Sequence, residues 1–511
     1  MSNPNKYTSF NRVAAVKTQL GGKKSTRNST ADDFANKRPD MTWKDHLVML
    51  LHIGAEIEHS LMVQYLYAAY SLGNEKVPEE HRHKVKHWQD DILAVAKEEM
   101  GHLLTVQNIL TLLGAPTNLG RLDLPWDIPF YPFPFRLEPL TLKSVACYVY
   151  AEMPSDDELD AALKRCTDPD KLKSYRRFKD HDFKCIDKIA HERAAKHGAH
   201  RVGGLYDQIV SLLGNTDRIP DHMFQDWTYV FQASVDDWGR GYQPRPRRLD
   251  ASGSFADDPP KGPDVLEPHV MVDRVATRGQ AIAAIQALSQ QGEGPGLFEE
   301  ETGELSHFDR FLRIYQEFVD IKGSWEPARK VPVDPTTVRD PDPHPDANRG
   351  YISAREARDW AGLFNLRYRI LLKYLAHTFQ LARVTPSGEP NLRAMVMHRV
   401  FAEMYNLKTI AGVLVRLPQH DPPEGEKENL ACAGPPFEMP YSLDLAGGEF
   451  ERWVMHQDLV RSAQRICKRL LSHEDAVEKT YLNTLFALDD RTVEWMKGIR
   501  EGLAAAQRIT S

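Results

Sequence analysis

Apolar residues recur at three- and four-residue spacing along most of this chain, and the places where that spacing breaks divide it into helices. The pattern predicts a first helix from about Thr42, where "TWKD" offers a hydroxyl cap and an acid three residues on, to about Leu72. A second runs from about Pro78 to Leu113 and stops at "GAP", a helix-ending glycine followed by a proline. A third, "PLTLKSVACYVYAEMP", ends at Pro154, several more follow between about 155 and 290, and another spans about Thr302 to Asp320. A further helical region holds "SAREARDWAGLFNLRYRILLKYLAHTF", "AMVMHRVFAEMYNLKTIAGVLVRL" and helices from about Gly448 onward. Strand-like alternation is scarce and no short repeat is visible, so the fold class is all-α.

The interruptions set the domain organisation. Residues 1–40 are polar, rich in Gly, Ser and Thr, and without apolar periodicity, which reads as a flexible arm. Residues 41–329 form a helical bundle with inserted loops, 330–350 ("KVPVDPTTVRDPDPHPDANRG") a Pro/Asp-rich linker, and 351–511 a C-terminal helical region. Within the bundle, "LPWDIPFYPFPF" has too many prolines for helix or central strand and is expected to pack as an ordered aromatic loop or to line the mouth of a pocket.

Several charged residues stand on the apolar stripes themselves. Leu51, Gly54, Leu61 and Tyr65 share a helix face with Glu58, whereas Glu56 points nearly opposite. In the second helix Val95, Glu99, His102, Val106, Ile109 and Leu113 advance by threes and fours, and Glu98 falls off that line. The third helix aligns Leu142, Val145 and Val149 with Glu152, and the later one aligns Glu304, His307, Phe311, Ile314 and Phe318. A buried unpaired carboxylate costs several kcal/mol or neutralises itself, so something cationic is expected among these four helices. The set Glu58, Glu99 with His102, Glu152, and Glu304 with His307 matches the four-Glu, two-His inventory with which a four-helix bundle holds two metal ions. Carboxylate oxygens with one imidazole per ion suit iron or manganese.

Other Glu-x-x-His pairs read differently. Glu80 with His83 lies among polar neighbours and is a solvated face, and His59, after the off-stripe Glu56, is a satisfied polar group or supports the ligands from behind. His181, His191, His197 and His200 sit in a highly charged stretch and read as surface. Glu152 ends its helix, and Glu293 in "QGEG" is its substitute.

Bulk properties narrow the function. The 511 residues are 41% hydrophobic and 27% charged, enough for a large core and more than one folding unit. The net charge of -7 comes from interspersed acids and bases with no basic stripe, which argues against nucleic acid as a partner. Five single cysteines without C-x-x-C spacing fit a reducing cytoplasm, and neither a signal peptide nor a membrane span is expected.

The segments "AEIEHSLMVQYLYAAYSL", "AKEEMGHLLTVQNILTLLGA", "YVYAEMP", "QQGEGPG", "GELSHFDRFLRI", "LFNLRYRILLKYL" and "AGPPFEMP", spread from about residue 42 to about 440, resemble the ferritin-like domain of the iminophenylpyruvate dimer synthase family of the violacein and rebeccamycin pathways. The resemblance implies a ferritin-like four-helix bundle and oxidative chemistry on small, amino-acid-derived metabolites. It places Glu58 in the family's first-helix motif, Glu99 and His102 in its E-x-x-H, and Glu304 and His307 in its Glu-x-x-His-aromatic segment. Val63 and Gln64 stand where the family usually has a pair of prolines, and the pathway enzymes carry a further large region, so imine dimerisation and haem association do not transfer with the motifs.

The reading that follows is a non-haem diiron oxidase or oxygenase of secondary metabolism, with manganese as the other candidate metal and dioxygen or peroxide as oxidant. Glu99 or Glu152 would bridge the ions, Glu58, Glu304, His102 and His307 would hold their outer sides, and Tyr65 and Tyr148 would relay a proton or electron. Rival expectations are an imine-coupling enzyme fed by a partner amino-acid oxidase, and a metal-binding or scaffold protein without turnover. A partner oxidase or reductase and a small-molecule substrate are the expected partners.

Overall fold

The computed structural model describes residues 40–123, 131–194, 199–234, 237, 270–294, 305–321, 325–342, 348–383, 391–421, 431–473 and 476–510. Residues 1–39 of the N-terminal arm read from the sequence, residues Leu124 to Phe130 of the aromatic loop, His197 and Glu304 fall outside these residues. The described chain is all-α, with thirteen α-helices among the described residues and only isolated bridges such as Leu72 to Ala328 in place of a sheet. No described helix is long and apolar enough to cross a membrane. Contacts divide the described chain into two compact units, one built from residues up to Ala69 with Glu75–Arg136 and Leu140–Pro327, the other from Tyr70–Asn74, Leu137–Pro139 and Ala328–Ser511.

The first unit contains α1 (Trp43–Ser71, apart from its last two residues), α2 (Glu79–Leu112), α3 (Leu142–Ala151), α4 (Asp156–Arg165), α5 (Pro169–Arg177), α6 (Phe183–Ala194), α7 (Gly203–Gly214), α8 (Arg278–Glu293) and α9 (His307–Ile321). Their ends follow local chemistry. Thr42 Oγ1 accepts the Asp45 N–H at 3.1 Å and Asp45 Oδ2 accepts the Thr42 N–H at 3.1 Å, the reciprocal cap foreseen in "TWKD". At the other end of α2, Gly114 takes φ +64°, and the amides of Gly114 and Ala115 return to the carbonyls of Thr111 and Leu110 at 2.9 Å each. Thr141 and Ser144 form the capping box that starts α3.

Helix α2 is buried on every side from Glu98 to Leu110. An irregular segment around 270–275 covers one face, and side chains of α2 satisfy its backbone and that of Ala233: Asn108 Nδ2 donates to the carbonyls of Ala233 (2.9 Å) and Asp273 (2.8 Å), and Thr105 Oγ1 accepts the Asp273 N–H at 3.2 Å. Gly101 is required there, because a Cβ would lie 2.6 Å from the Met271 carbonyl oxygen. On another face, α9 packs on α2, α3 and α8. Tyr131, Phe133 and Phe135 of the aromatic loop are buried, with Tyr131 stacked on Phe135 at 4.7 Å between ring centroids.

The second unit is a set of long helices, α10 (Arg355–Thr378), α11 (Leu392–Leu414), α12 (Glu449–Leu471) and α13 (Lys479–Thr510), in which α10 packs on α11 and α12, and α12 on α13. Its core includes Trp360, Phe364, Tyr368, Trp453 and Met496. The Pro/Asp-rich stretch is tied into this unit where it is described. Leu137 and Asp334 exchange two hydrogen bonds of 2.8 Å, and Glu438 accepts from Thr336 Oγ1 at 2.5 Å and the Thr337 N–H at 2.8 Å.

Candidate metal centre

The stripes of the first unit converge. Glu58 comes from α1, Glu99 and His102 from α2, Glu152 from the residue that closes α3, and His307 from the first turn of α9, whose start is capped by Ser306 Oγ accepting the Asp309 N–H at 3.2 Å. All five are buried. Glu99 stands between the imidazoles: its Oε2 is 3.0 Å from His102 Nδ1 and its Oε1 is 3.1 Å from His307 Nδ1. Glu58 Oε2 is 3.4 Å from His102 Nδ1, and Glu152 Oε2 is 3.7 Å from His307 Nδ1. One donor atom each from Glu99, His102 and His307 fall within 4.8 Å of one another.

Everything around these side chains turns their free atoms inward. His102 Nε2 sits 2.9 Å from Gln291 Oε1, an acceptor, and His307 Nε2 sits 2.9 Å from Glu98 Oε2, so each ring carries its proton on Nε2 and presents Nδ1 to the centre. Glu98 is held in turn by Arg310 Nη1, which donates to both of its oxygens at 3.0 and 3.1 Å. Tyr206 donates to Glu58 Oε1, and Tyr65 donates to Glu152 Oε1 at 2.5 Å. The carboxylates thus have one oxygen fixed by a phenol and the other facing the imidazoles.

The residues fit a metal. Glu58 Oε2, Glu99 Oε1 and His307 Nδ1 are buried and find no well-aligned hydrogen-bond partner among the described residues, although Glu99 Oε1 faces His307 Nδ1 and Glu58 Oε2 faces His102 Nδ1. Such orphans need an explanation, and an ion between them would supply it. The donors are oxygen and nitrogen without a thiolate, the preference of iron and manganese. Without an ion, protons take its place. Burial and the neighbouring Glu99 push Glu58 up to about 7. Burial alone would lower His102, but hydrogen bonds to Glu58 and Glu99 outweigh it and raise the imidazole to about 10. Burial likewise opposes ionisation of Glu98, and the Arg310 guanidinium overrides it, holding this carboxyl below its ordinary value.

Glu58, Glu99, His102, Glu152 and His307 are therefore brought together, while Glu304 is outside the described residues. Tyr65 reaches a ligand candidate directly. Tyr148 packs its ring against Tyr65 (4.9 Å, edge-on) and Phe311 (5.4 Å). Two polar positions differ from the stripe reading. Glu98, off the apolar line, is fully buried because α2 has no wet face at that level. Glu56 is half-buried and not outward, with Asn118 Nδ2 and Tyr131 Oη each donating at 3.3 Å. His59 is buried beside the backbone of Leu119 and Gly120, and Glu80, His83, His181 and His191 are exposed.

Sequence reasoning missed Tyr206, Gln291, Arg310 and Glu98. A tyrosine in the apolar "GGLYDQIVSLLG" gives no signal, but Arg310, three residues after His307 on one face, is a buried cation that asks for a partner. Glu293 lies beside the centre and touches neither imidazole. It accepts the Gly203 N–H, has Arg201 Nη1 at 3.5 Å, and is pushed by burial up to about 8. A carboxyl whose folded value exceeds its unfolded one contributes stability below the unfolded value of about 4.5 and loses it as pH rises through about 8. Glu293→Gln keeps the acceptor without the charge. It is expected to match the parent near pH 4.5 and to exceed it by on the order of 2–4 kcal/mol at pH 9. Urea unfolding at both pH values checks this, and an equal gain at both would contradict the buried-charge account.

A ferritin-like family model matches residues 51–316. Dichlorochromopyrrolate synthase of Lentzea aerocolonigenes is 26% identical over 427 residues, covering 77% of this chain and 36% of its own length. The chain thus spans little more than a third of that relative. A crystal structure of a ferritin-like protein from Caulobacter vibrioides superposes with a TM-score of 0.34 at 16% identity, over 71% of this chain and 95% of the other.

Proposed function

The chain belongs to the ferritin-like family, as its short motifs implied, and on that premise we propose that it is a di-metal oxidase or oxygenase of secondary metabolism acting on a small amino-acid-derived molecule. The observation that carries the reading is Glu99 placed between two inward Nδ1 atoms, at 3.0 and 3.1 Å, with a further carboxylate beside each. Iron or manganese held there would supply Lewis acidity and a redox couple through which electrons lost by the organic substrate would reach dioxygen or peroxide.

The protein's own contribution is position and dryness. Glu99, which faces both imidazoles, would hold the ions together with Glu58 and His102 and with Glu152 and His307, and Glu304 is the further ligand the sequence proposes. Gln291 and Glu98 fix the imidazole tautomers, and the phenols of Tyr206 and Tyr65 fix the outer carboxylates. Tyr65 also holds a proton at Glu152 Oε1, within one hydrogen bond of a ligand that would need it when its coordination changes. Glu58, Glu98, Glu99, His102, Glu152, Gln291, His307, Tyr65 and Tyr206 are all buried, which would keep bulk water out of the centre.

Metal analysis of protein grown with iron or manganese, followed by oxygen and peroxide consumption of the loaded protein, tests the reading. About two ions per chain and turnover of either oxidant are expected; a chain that stays metal-poor under both conditions would remove it. The similarity to a protein named as a synthase favours a second reading, in which the chain joins reactive imines delivered by a partner amino-acid oxidase. Product formation that requires such an oxidase but not the metal would select it.

A further inference from the structure

We propose that the two halves of the centre are inequivalent, the His307 half binding the first divalent ion more tightly than the His102 half. The inference rests on the di-metal reading above and adds a distinction between its sites. The two halves match in most respects. Each has one imidazole presenting Nδ1, one oxygen of Glu99, and one further carboxylate whose far oxygen accepts a tyrosine hydroxyl: Tyr206 on Glu58, Tyr65 on Glu152.

They differ behind the rings. His307 Nε2–H meets an ionised oxygen of Glu98, and His102 Nε2–H meets the neutral amide oxygen of Gln291, both at 2.9 Å. An ion at Nδ1 draws charge from the ring and makes the opposite N–H a stronger donor. A carboxylate rewards that change more than an amide does, because hydrogen bonds to an ionised acceptor are roughly twice as strong. The carboxylate also makes the ring a more basic ligand. Arg310 balances part of the Glu98 charge, yet by donating at 3.0 and 3.1 Å to both oxygens it keeps that carboxylate ionised and aimed in a fully buried position. Gln291, lacking a charge, needs no such counter-ion. Glu98 and Gln291 are thus positioning residues that set the order of loading, and they leave the ligand set itself unchanged.

The test is a titration of the metal-free chain with Co2+, followed by visible absorption and calorimetry, with circular dichroism on every variant. Two binding steps are expected, separated by on the order of 10–100-fold in affinity. His102→Ala should keep the tighter step and His307→Ala only the weaker. Glu98→Gln should weaken the tighter step by on the order of 10–100-fold and spare the other. Because that variant also removes the charge facing buried Arg310, Gln291→Glu carries the test independently: it should tighten the weaker step by on the order of tenfold. Two ions bound with equal affinity, a tight step that survives His307→Ala, or a weak step indifferent to Gln291→Glu would overturn the inequivalence. A chain that takes up no Co2+ at all would strike the di-metal reading instead.

Discussion

Glu99→Ala is expected to abolish binding of both ions, whereas Glu58→Ala and Glu152→Ala each weaken one. The asymmetry follows from where the oxygens lie. Glu99 offers one oxygen to each imidazole, at 3.0 and 3.1 Å, and the other two carboxylates approach a single imidazole each, at 3.4 and 3.7 Å. Removing Glu99 takes a donor from both halves at once, and leaves His102 only Glu58 at 3.4 Å and His307 only Glu152 at 3.7 Å on the side of the centre. The variant should retain less than about a tenth of the parent's metal, and Glu58→Ala and Glu152→Ala about half. Metal per chain by plasma mass spectrometry after dialysis gives the answer. Equal losses in all three variants would show that Glu99 has no bridging role, and undiminished metal in Glu99→Ala would place the ions elsewhere.

How far this centre was legible depended on what a helix exposes. Helical spacing finds an inward residue by its apolar neighbours, and that logic singles out Glu58, Glu99, His102, Glu152 and His307, because each continues a line of Leu, Val, Ile or Phe. The same logic fails where a helix has no wet side. From Glu98 to Leu110 every residue of α2 is buried, so a carboxylate one position off the line is buried all the same and holds His307 and Arg310. The cover responsible is the loop segment around 270–275, which has no periodicity and is held by Asn108 and Thr105. Nothing in the helix's own sequence announces it. Tyr206 illustrates another limit, since a phenol aimed at Glu58 looks like any core aromatic until the partner's position is known. Glu293 shows the converse: its place in "QGEG" near Glu152 was legible, but its role depended on Gly203 and Arg201, distant in sequence.

The second unit offers a test of equal size that does not involve the centre. Arg367 is fully buried on α10, donating to Glu403 at 3.0 Å and to both oxygens of Asp489, the nearer of the two Nη1 contacts being 2.9 Å. Burial alone would lower the guanidinium, but the two carboxylates outweigh it and raise it well above its ordinary value. Burial in turn raises both acids despite Arg367. Arg367→Met removes the shared cation and leaves two acids in a dry place, which should cost about 3–5 kcal/mol of stability. The loss should shrink below pH 5, where the stranded acids can be neutralised by protons. Desolvation cancels much of the Coulomb gain of the intact triad, so replacing all three members together, Arg367→Met with Glu403→Leu and Asp489→Leu, should recover most of the loss. Urea unfolding followed by helical circular dichroism compares the parent, the single variant and the triple variant. A single variant within about 1 kcal/mol of the parent at pH 7.5 would show that Arg367 contributes only by filling space. A triple variant no better than the single one would show that the cost lies in lost packing and not in stranded charge.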